Sequence, residues 1–142
     1  MDDHQLDQRI RRITRAPFRS RFHLRGAELD YVLDRAPETV RAHAEDFIAT
    51  RLAPAHPPKD GKQTPWKGHP VFLAQHATAT CCRTCLQNSH GIAAGHALTE
   101  AEQADVVAII CRWIELEAAA APPRRPSPQP ERERRTPQPT LF

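Results

Sequence analysis

The chain contains few aromatic residues and no long hydrophobic run. Five Phe, two Trp and one Tyr are spread over 142 residues, so aliphatic side chains have to supply most of a core. The longest aliphatic run, Val106 to Cys111, is far too short to span a membrane. The first twelve residues are charged and contain no apolar segment of the kind that an export signal needs. These absences predict a cytoplasmic protein with no membrane association.

Cysteine is also scarce, and its spacing does not suit a disulfide framework. Three of the four cysteines fall in the sequence Cys81-Cys82-x-x-Cys85, and the fourth, Cys111, is isolated. In a chain without an export signal, such closely spaced thiols indicate metal binding or redox chemistry instead.

Charge is distributed unevenly along the chain. Residues 1–25 carry seven Arg and three Asp, the middle of the chain is net negative, and residues 121–142 carry five Arg and two Glu. Basic ends favour contact with phosphate and hence with nucleic acid, and the alternative is that they are simply solvated. The composition predicts three parts: a basic N-terminal arm (1–16), a helical Cys/His domain (17–120) and a disordered Pro/Arg-rich tail (121–142).

The spacing of apolar residues predicts a mainly α fold, a small single helical domain with one long loop. Helices are expected over residues 3–15, 27–35, 37–52, 70–77 and 83–90. A last helix begins at the capping box of Thr99 and Glu102. Its buried stripe comprises Val106, Val107, Ile110, Trp113 and Ile114. Five prolines between residues 54 and 70 predict an irregular Pro/Gly-rich loop before the Cys/His cluster.

The stretch from His69 to His90 holds three cysteines and three histidines. Zinc needs four converging ligands, normally thiolates and imidazoles, and a Cys-x-x-Cys turn supplies two of them. We therefore predict a zinc site whose ligands are Cys82, Cys85, His76 and His90, with Cys81 and His69 as alternates.

A thiol enzyme is the alternative reading of the same stretch. A cysteine near a histidine and a helix N-terminus has a lowered pKa and can act as a nucleophile or a redox thiol. If the site is catalytic, Asp60, Lys62 or Gln75 could contact the substrate, and nothing in the sequence ranks them or assigns a catalytic residue.

The Cys/His stretch belongs to a longer distinctive string, DGKQTPWKGHPVFLAQHATATCC, which is followed by R-x-CL and by His90. This string resembles the bacterial family of domain of unknown function 4186. The similarity runs from about Phe18 to Glu117 and includes RFHL at residues 21–24, HAEDFI and RLAPA. Ser89 stands where the family pattern has Trp, and Trp66 where it has Met. The resemblance implies no activity, but it favours the Cys/His stretch as the functional region.

The chain ends in Gln138-Pro-Thr-Leu141-Phe142. This ending resembles the peptide by which many bacterial polymerases and repair proteins bind the replication sliding clamp. Leu141 and Phe142 would fill an apolar pocket while the Gln138 amide hydrogen-bonds at its rim. Short motifs also arise by chance, and an apolar C-terminus without a role is the alternative.

The motifs together predict a metal-binding accessory protein in DNA maintenance, tethered to the sliding clamp by QPTLF. The second hypothesis is a thiol- or metal-dependent enzyme that acts on a small molecule.

Overall fold

The computed structural model describes residues 1–122, which form seven α-helices and no strand. The helices are α1 (Asp3–Thr14), α2 (Pro17–Ser20), α3 (Gly26–Asp34), α4 (Pro37–Phe47), α5 (Pro70–Ala77), α6 (Arg83–His90) and α7 (Glu100–Ala120). A π-helical turn, Ile48–Leu52, continues α4. The predicted mainly α, small single-domain fold is therefore confirmed. The expected disorder of the tail concerns residues that lie almost entirely outside the described part of the chain.

Helix α7 lies at the centre of the fold and packs against α1, α3, α4 and α5. Its first turn carries the predicted capping box, in which the Thr99 hydroxyl accepts from the Glu102 N–H and the Glu102 carboxylate accepts from the Thr99 N–H. The predicted stripe is buried, with Ile109 added to it. Around it lie the buried aliphatic side chains of the other elements: Leu6, Ile10, Leu29, Val40, Ile48, Leu52, Val71 and Leu86.

Helix α1 packs its apolar face against α7. Leu6, Ile10 and Ile13 are buried, as their spacing predicts. The Arg112 guanidinium of α7 forms two hydrogen bonds, 2.6 and 3.0 Å, to the carboxylate of Asp7. The apolar face of α1 therefore belongs to the core, while its outer face carries arginines. The division of the chain into arm, domain and tail stays a prediction.

The segment between Ala53 and His69 is irregular, as its prolines predict, but hydrogen bonds from a buried side chain hold its start in place. This side chain is Arg83 of α6, which is only 1% exposed. It donates hydrogen bonds of 2.8–3.3 Å to four backbone carbonyls, those of Leu52, Pro54, Ala93 and His96. One side chain thus connects the loop before α5 with the loop before α7. Within residues 1–122 no helix combines the length and apolar character needed to cross a bilayer.

Candidate metal centre

A tight turn between α5 and α6 presents the cysteines. Ala79 is buried in this turn with a φ of 59°, a left-handed conformation that costs a non-glycine residue on the order of 1 kcal/mol. Gln75 stabilises the turn from both sides: its side chain donates to the Thr80 carbonyl at 3.0 Å, and its carbonyl accepts from the Thr80 N–H at 2.9 Å. The reversal brings Cys81 and Cys82 to the N-terminus of α6.

Three sulfur atoms converge there and form what we call the Cys cluster: Cys81, Cys82 and Cys85. Their Sγ atoms all lie within 4.8 Å of one another, and no disulfide joins them. Cys82 is the N-cap of α6, where its Sγ accepts from the Cys85 N–H at 3.4 Å. Partial positive charge at a helix N-terminus favours the thiolate form. Cys81, predicted only as an alternate ligand, is a full member of this cluster.

A guanidinium that the sequence did not indicate lies against the cluster. Arg19 of α2 donates from Nη2 to Cys85 Sγ at 3.2 Å and contacts Cys81 Sγ from Nη1 at 3.8 Å. The same Nη1 donates to the His76 carbonyl at 2.6 Å, which fixes the side chain in place. A permanent positive charge therefore faces two of the three sulfurs.

Hydrogen bonds within the cluster separate the pKa values of its thiols. The pKa of Cys85 is lowered, mainly because Cys81 donates a hydrogen bond to its sulfur and also because Arg19 does. The same bond to Cys85, together with burial, raises the pKa of Cys81. Burial raises the pKa of Cys82. These opposite shifts make Cys85 the most acidic thiol of the cluster in the absence of a metal.

His76 lines the same cleft as the Cys cluster and has one nitrogen free. Its Nε2 lies 3.2 and 3.1 Å from the carbonyl oxygens of Thr64 and Pro65. Because carbonyl oxygens only accept hydrogen bonds, Nε2 carries the proton and Nδ1 keeps its lone pair. Nδ1 is buried and has no hydrogen-bond partner in the described part of the chain. An imidazole anchored by a carbonyl through one nitrogen is the usual arrangement of a metal ligand.

The other two predicted histidines, His90 and His69, do not line this cleft. His90 resembles His76 in its hydrogen bonding: Nε2 donates to the Thr78 carbonyl at 2.7 Å, and Nδ1 is buried without a partner in the described part of the chain. His69 uses both nitrogens, since Nδ1 accepts from the Val71 N–H and Nε2 lies 3.0 Å from His43 Nδ1. Among residues 1–122, the group of possible ligand atoms within 4.8 Å of one another contains three sulfurs and no imidazole nitrogen, that of His76 included.

The Cys cluster opens onto a cleft of about 570 Å³. Its rim includes Phe18 and Trp66, and the Trp66 ring stacks on His76 with 4.1 Å between ring centroids. Of the three side chains considered for substrate contact, Lys62 lines the cleft. Asp60 instead accepts from the Gln63 side chain and from a backbone N–H of α6.

The chain matches the sequence profile of a known family. The sequence profile described as Domain of unknown function (DUF4186) covers residues 7–115. The chain belongs to the DUF4186 family. No solved structure matches it. The DUF4186 region begins within α1, earlier than the predicted start at Phe18, and it contains the whole site from Arg19 to Cys85.

Proposed function

We propose that this DUF4186 protein binds a zinc ion through Cys81, Cys82, Cys85 and His76, and that it is an accessory protein in DNA maintenance. The observation that carries the metal assignment is the convergence of three free sulfurs within 4.8 Å of one another. Three thiolates around one ion are typical of zinc sites of the Cys₃His type.

The surroundings of the sulfurs suit this ion. With Zn–S bonds of about 2.3 Å, tetrahedral geometry separates sulfurs by about 3.8 Å, so separations of up to 4.8 Å need only small side-chain rotations. Three thiolates and one Zn²⁺ leave a net negative charge. Arg19 and the Cys85 N–H, which already donate to the sulfurs, would compensate that charge.

His76, which lines the same cleft, would complete the proposed ligand set after its Nδ1 moves toward the sulfurs, because it lies outside the group of ligand atoms within 4.8 Å of one another. Its Nδ1 lone pair is buried and unpartnered, and its ring is held by the carbonyls of Thr64 and Pro65 on one edge. Stacking on Trp66 fixes the ring plane. The site would then be filled by four protein ligands, which is typical of zinc ions that stabilise a structure rather than activate a substrate.

The test is the metal content of untagged protein purified without chelator, measured by elemental mass spectrometry. We expect about one zinc per chain in the natural protein and in Cys111→Ser, whose thiol lies on α7 and outside the cluster. Cys82→Ser/Cys85→Ser should lose the metal. His76→Ala should weaken zinc binding by more than the roughly 10–100-fold that loss of an outer-shell partner costs.

A natural protein that is folded and contains no metal would refute the ligand assignment. If His76→Ala binds zinc as tightly as the natural protein, the fourth position is open to the cleft. The metal could then polarise a bound substrate or water.

The DNA-maintenance part of the proposal is supported by the sequence of the last five residues, Gln138 to Phe142, which lie outside the described residues. A peptide with this ending should bind purified replication sliding clamp, and the change of Leu141 and Phe142 to Ala should abolish the binding. A natural peptide without affinity at high micromolar concentration would remove this support.

A thiol enzyme acting on a small molecule is the second candidate. The observation that favours it is the lowered pKa of Cys85, caused by Cys81 and Arg19 at the edge of an open cleft. In metal-free buffer at pH 7, iodoacetamide should then alkylate Cys85 much faster than Cys111, whose pKa is raised by burial. Equal rates at the two cysteines, read by peptide mass spectrometry, would exclude an activated nucleophile.

A further inference from the structure

The rim of the cleft exposes aromatic surface. Trp66 is 61% exposed and Phe18 is 40% exposed, although the chain has few aromatic residues to bury. The two rings meet edge to face with 6.2 Å between centroids, and the Phe22 ring contacts both of them. Trp66 rests on His76, so the ring is held in place rather than free to turn. This surface is a rigid platform on which a planar ring can stack.

Cations surround the platform. The guanidinium groups of Arg19 and Arg21 lie 5.0 and 5.5 Å from the Phe18 ring centroid, and Lys62 lines the cleft beside Trp66. No acidic side chain of residues 1–122 lines the cleft. A ligand of this surface should therefore combine a flat ring with negative charge.

The positive charge extends beyond the cleft along α1. Arg12 donates from Nη1 to the Ser89 carbonyl at 3.4 Å, at the end of α6. Arg9 and Arg12 together line a shallow surface depression on α1. None of these arginines forms a salt bridge with a carboxylate of the described residues. Arg9 and Arg12 thus extend positive charge along α1 that carboxylates of the described residues do not neutralise, whereas Arg19 at the cleft is engaged by the Cys cluster.

We propose that this platform and the positive charge beside it bind single-stranded nucleic acid. Bases would stack on Trp66 and Phe18, and successive phosphates would contact Lys62, Arg21 and the arginines of α1. Stacking platforms next to a basic track are the means by which proteins bind single strands without reading sequence. Positive charge that continues past the cleft suits a polymer better than a mononucleotide. The inference deepens the DNA-maintenance part of the proposed function and does not depend on the metal.

The experiment uses the full chain and three probes: a fluorescein-labelled oligothymidylate of twelve nucleotides, the corresponding duplex with oligoadenylate, and thymidine monophosphate. We expect the single strand to bind at least tenfold more tightly than either of the other probes. A stacked base should quench the fluorescence of Trp66. The change can be assigned to Trp66 because the other tryptophan, Trp113, is buried in the core.

Variants locate the contact. Trp66→Ala and Phe18→Ala should each weaken binding by roughly 5–150-fold, as loss of one stacked base does. Lys62→Gln and Arg12→Gln should each reduce the slope of log affinity against log salt by about 0.7. The controls are Leu33→Ala, an exposed apolar side chain on α3, and Arg41→Gln, a cation on α4, neither of which lines the cleft. Both controls should bind like the natural protein, and circular dichroism should show that every variant is folded.

Three results would overturn the inference: duplex binding as tight as single-strand binding, thymidine monophosphate binding as tight as the oligonucleotide, or an unchanged affinity in Trp66→Ala. Metal content is measured on the same samples. If the protein contains one zinc per chain and does not bind the oligonucleotide, the nucleic-acid inference is refuted and the zinc assignment stands. Metal-free protein that binds the oligonucleotide supports it and refutes the zinc assignment.

Discussion

At the Cys cluster, Arg19 contacts the sulfurs of Cys85 and Cys81 while the His76 carbonyl fixes its position. In metal-free protein, Arg19→Gln should raise the pKa of Cys85 toward the ordinary cysteine value of about 8.5, because a positive donor to the thiolate is lost. The thiolate absorbance at 240 nm, followed against pH, measures this shift. Arg21→Gln is the matched control, and equal titration curves for the two variants would contradict the role of Arg19.

The burial of His69 predicts how the stability of the fold depends on pH. Burial, together with the charges of His43 and Arg35, lowers its pKa to about 4, against about 6.5 in an unfolded chain. Between these values the unfolded chain binds more protons than the folded one. The contribution of His69 to stability is therefore complete above about pH 6.5 and is lost as the pH falls toward 4.

The variant His69→Asn separates this titration from the structural role of the residue. The Nδ1 atom of His69 caps α5 by accepting from the Val71 N–H, and an Asn side-chain oxygen can do the same. His69→Asn should keep most of the stability at pH 7.5 and lose less of it between pH 6.5 and 4, as read from urea midpoints. His69→Ala, which has no cap, should lose about 1 kcal/mol already at pH 7.5. If the urea midpoints of the natural protein and of His69→Asn fall equally between pH 6.5 and 4, His69 is not the group whose titration lowers the stability.

For the residues of the site, the sequence predicts which side chains come together better than it predicts what each of them does. The Cys-x-x-Cys spacing alone indicates that Cys82 and Cys85 lie close together. It cannot show which nitrogen of His76 is free, because distant carbonyls orient the ring. Arg19 could not be found at all, since it precedes Cys85 by 66 residues and meets it only through the packing of α2.

The loops before α5 and α7 are held together by the buried guanidinium of Arg83. Arg83→Met would leave four backbone carbonyls without this donor, so we expect a loss of about 3 kcal/mol or more of unfolding free energy. Thr84→Ala, an exposed neighbour on the same helix, should change stability little. Urea denaturation of both variants measures the difference, and similar midpoints would show that the two loops hold without Arg83.

The bounds of the elements follow from local signals where such signals exist. Helix α5 starts at Pro70, and α6 ends before Gly91, whose φ of 70° suits a left-handed cap; both helices have the predicted bounds. The short helix α2 is absent from the predicted helices, because four residues are too few to show a periodicity. The π-helical turn at Ile48–Leu52 lies within the helix predicted over residues 37–52, but the spacing of apolar residues does not indicate its wider hydrogen bond, from the Ala53 N–H to the Ile48 carbonyl.

For the whole molecule, the aliphatic core around α7 is separate from the proposed zinc site, because the sulfurs line the surface cleft. Removal of zinc with a chelator should therefore lower the melting temperature without abolishing the cooperative transition. At free zinc about 100-fold above the dissociation constant, binding contributes about 2.7 kcal/mol. Circular dichroism at 222 nm during heating, with and without chelator, measures both effects. Loss of all helical signal on chelation at 25 °C would instead show that the fold requires the ion.

The central position of α7 also bears on how the chain is made. A ribosome produces α1 first and α7 last among the described helices, yet the Asp7 carboxylate of α1 accepts hydrogen bonds from Arg112 of α7. Until α7 has been synthesised, the inner faces of α1, α3, α4 and α5 lack the one helix against which all four of them pack in the folded protein. The nascent chain therefore passes through an interval in which these apolar faces are open to chaperones.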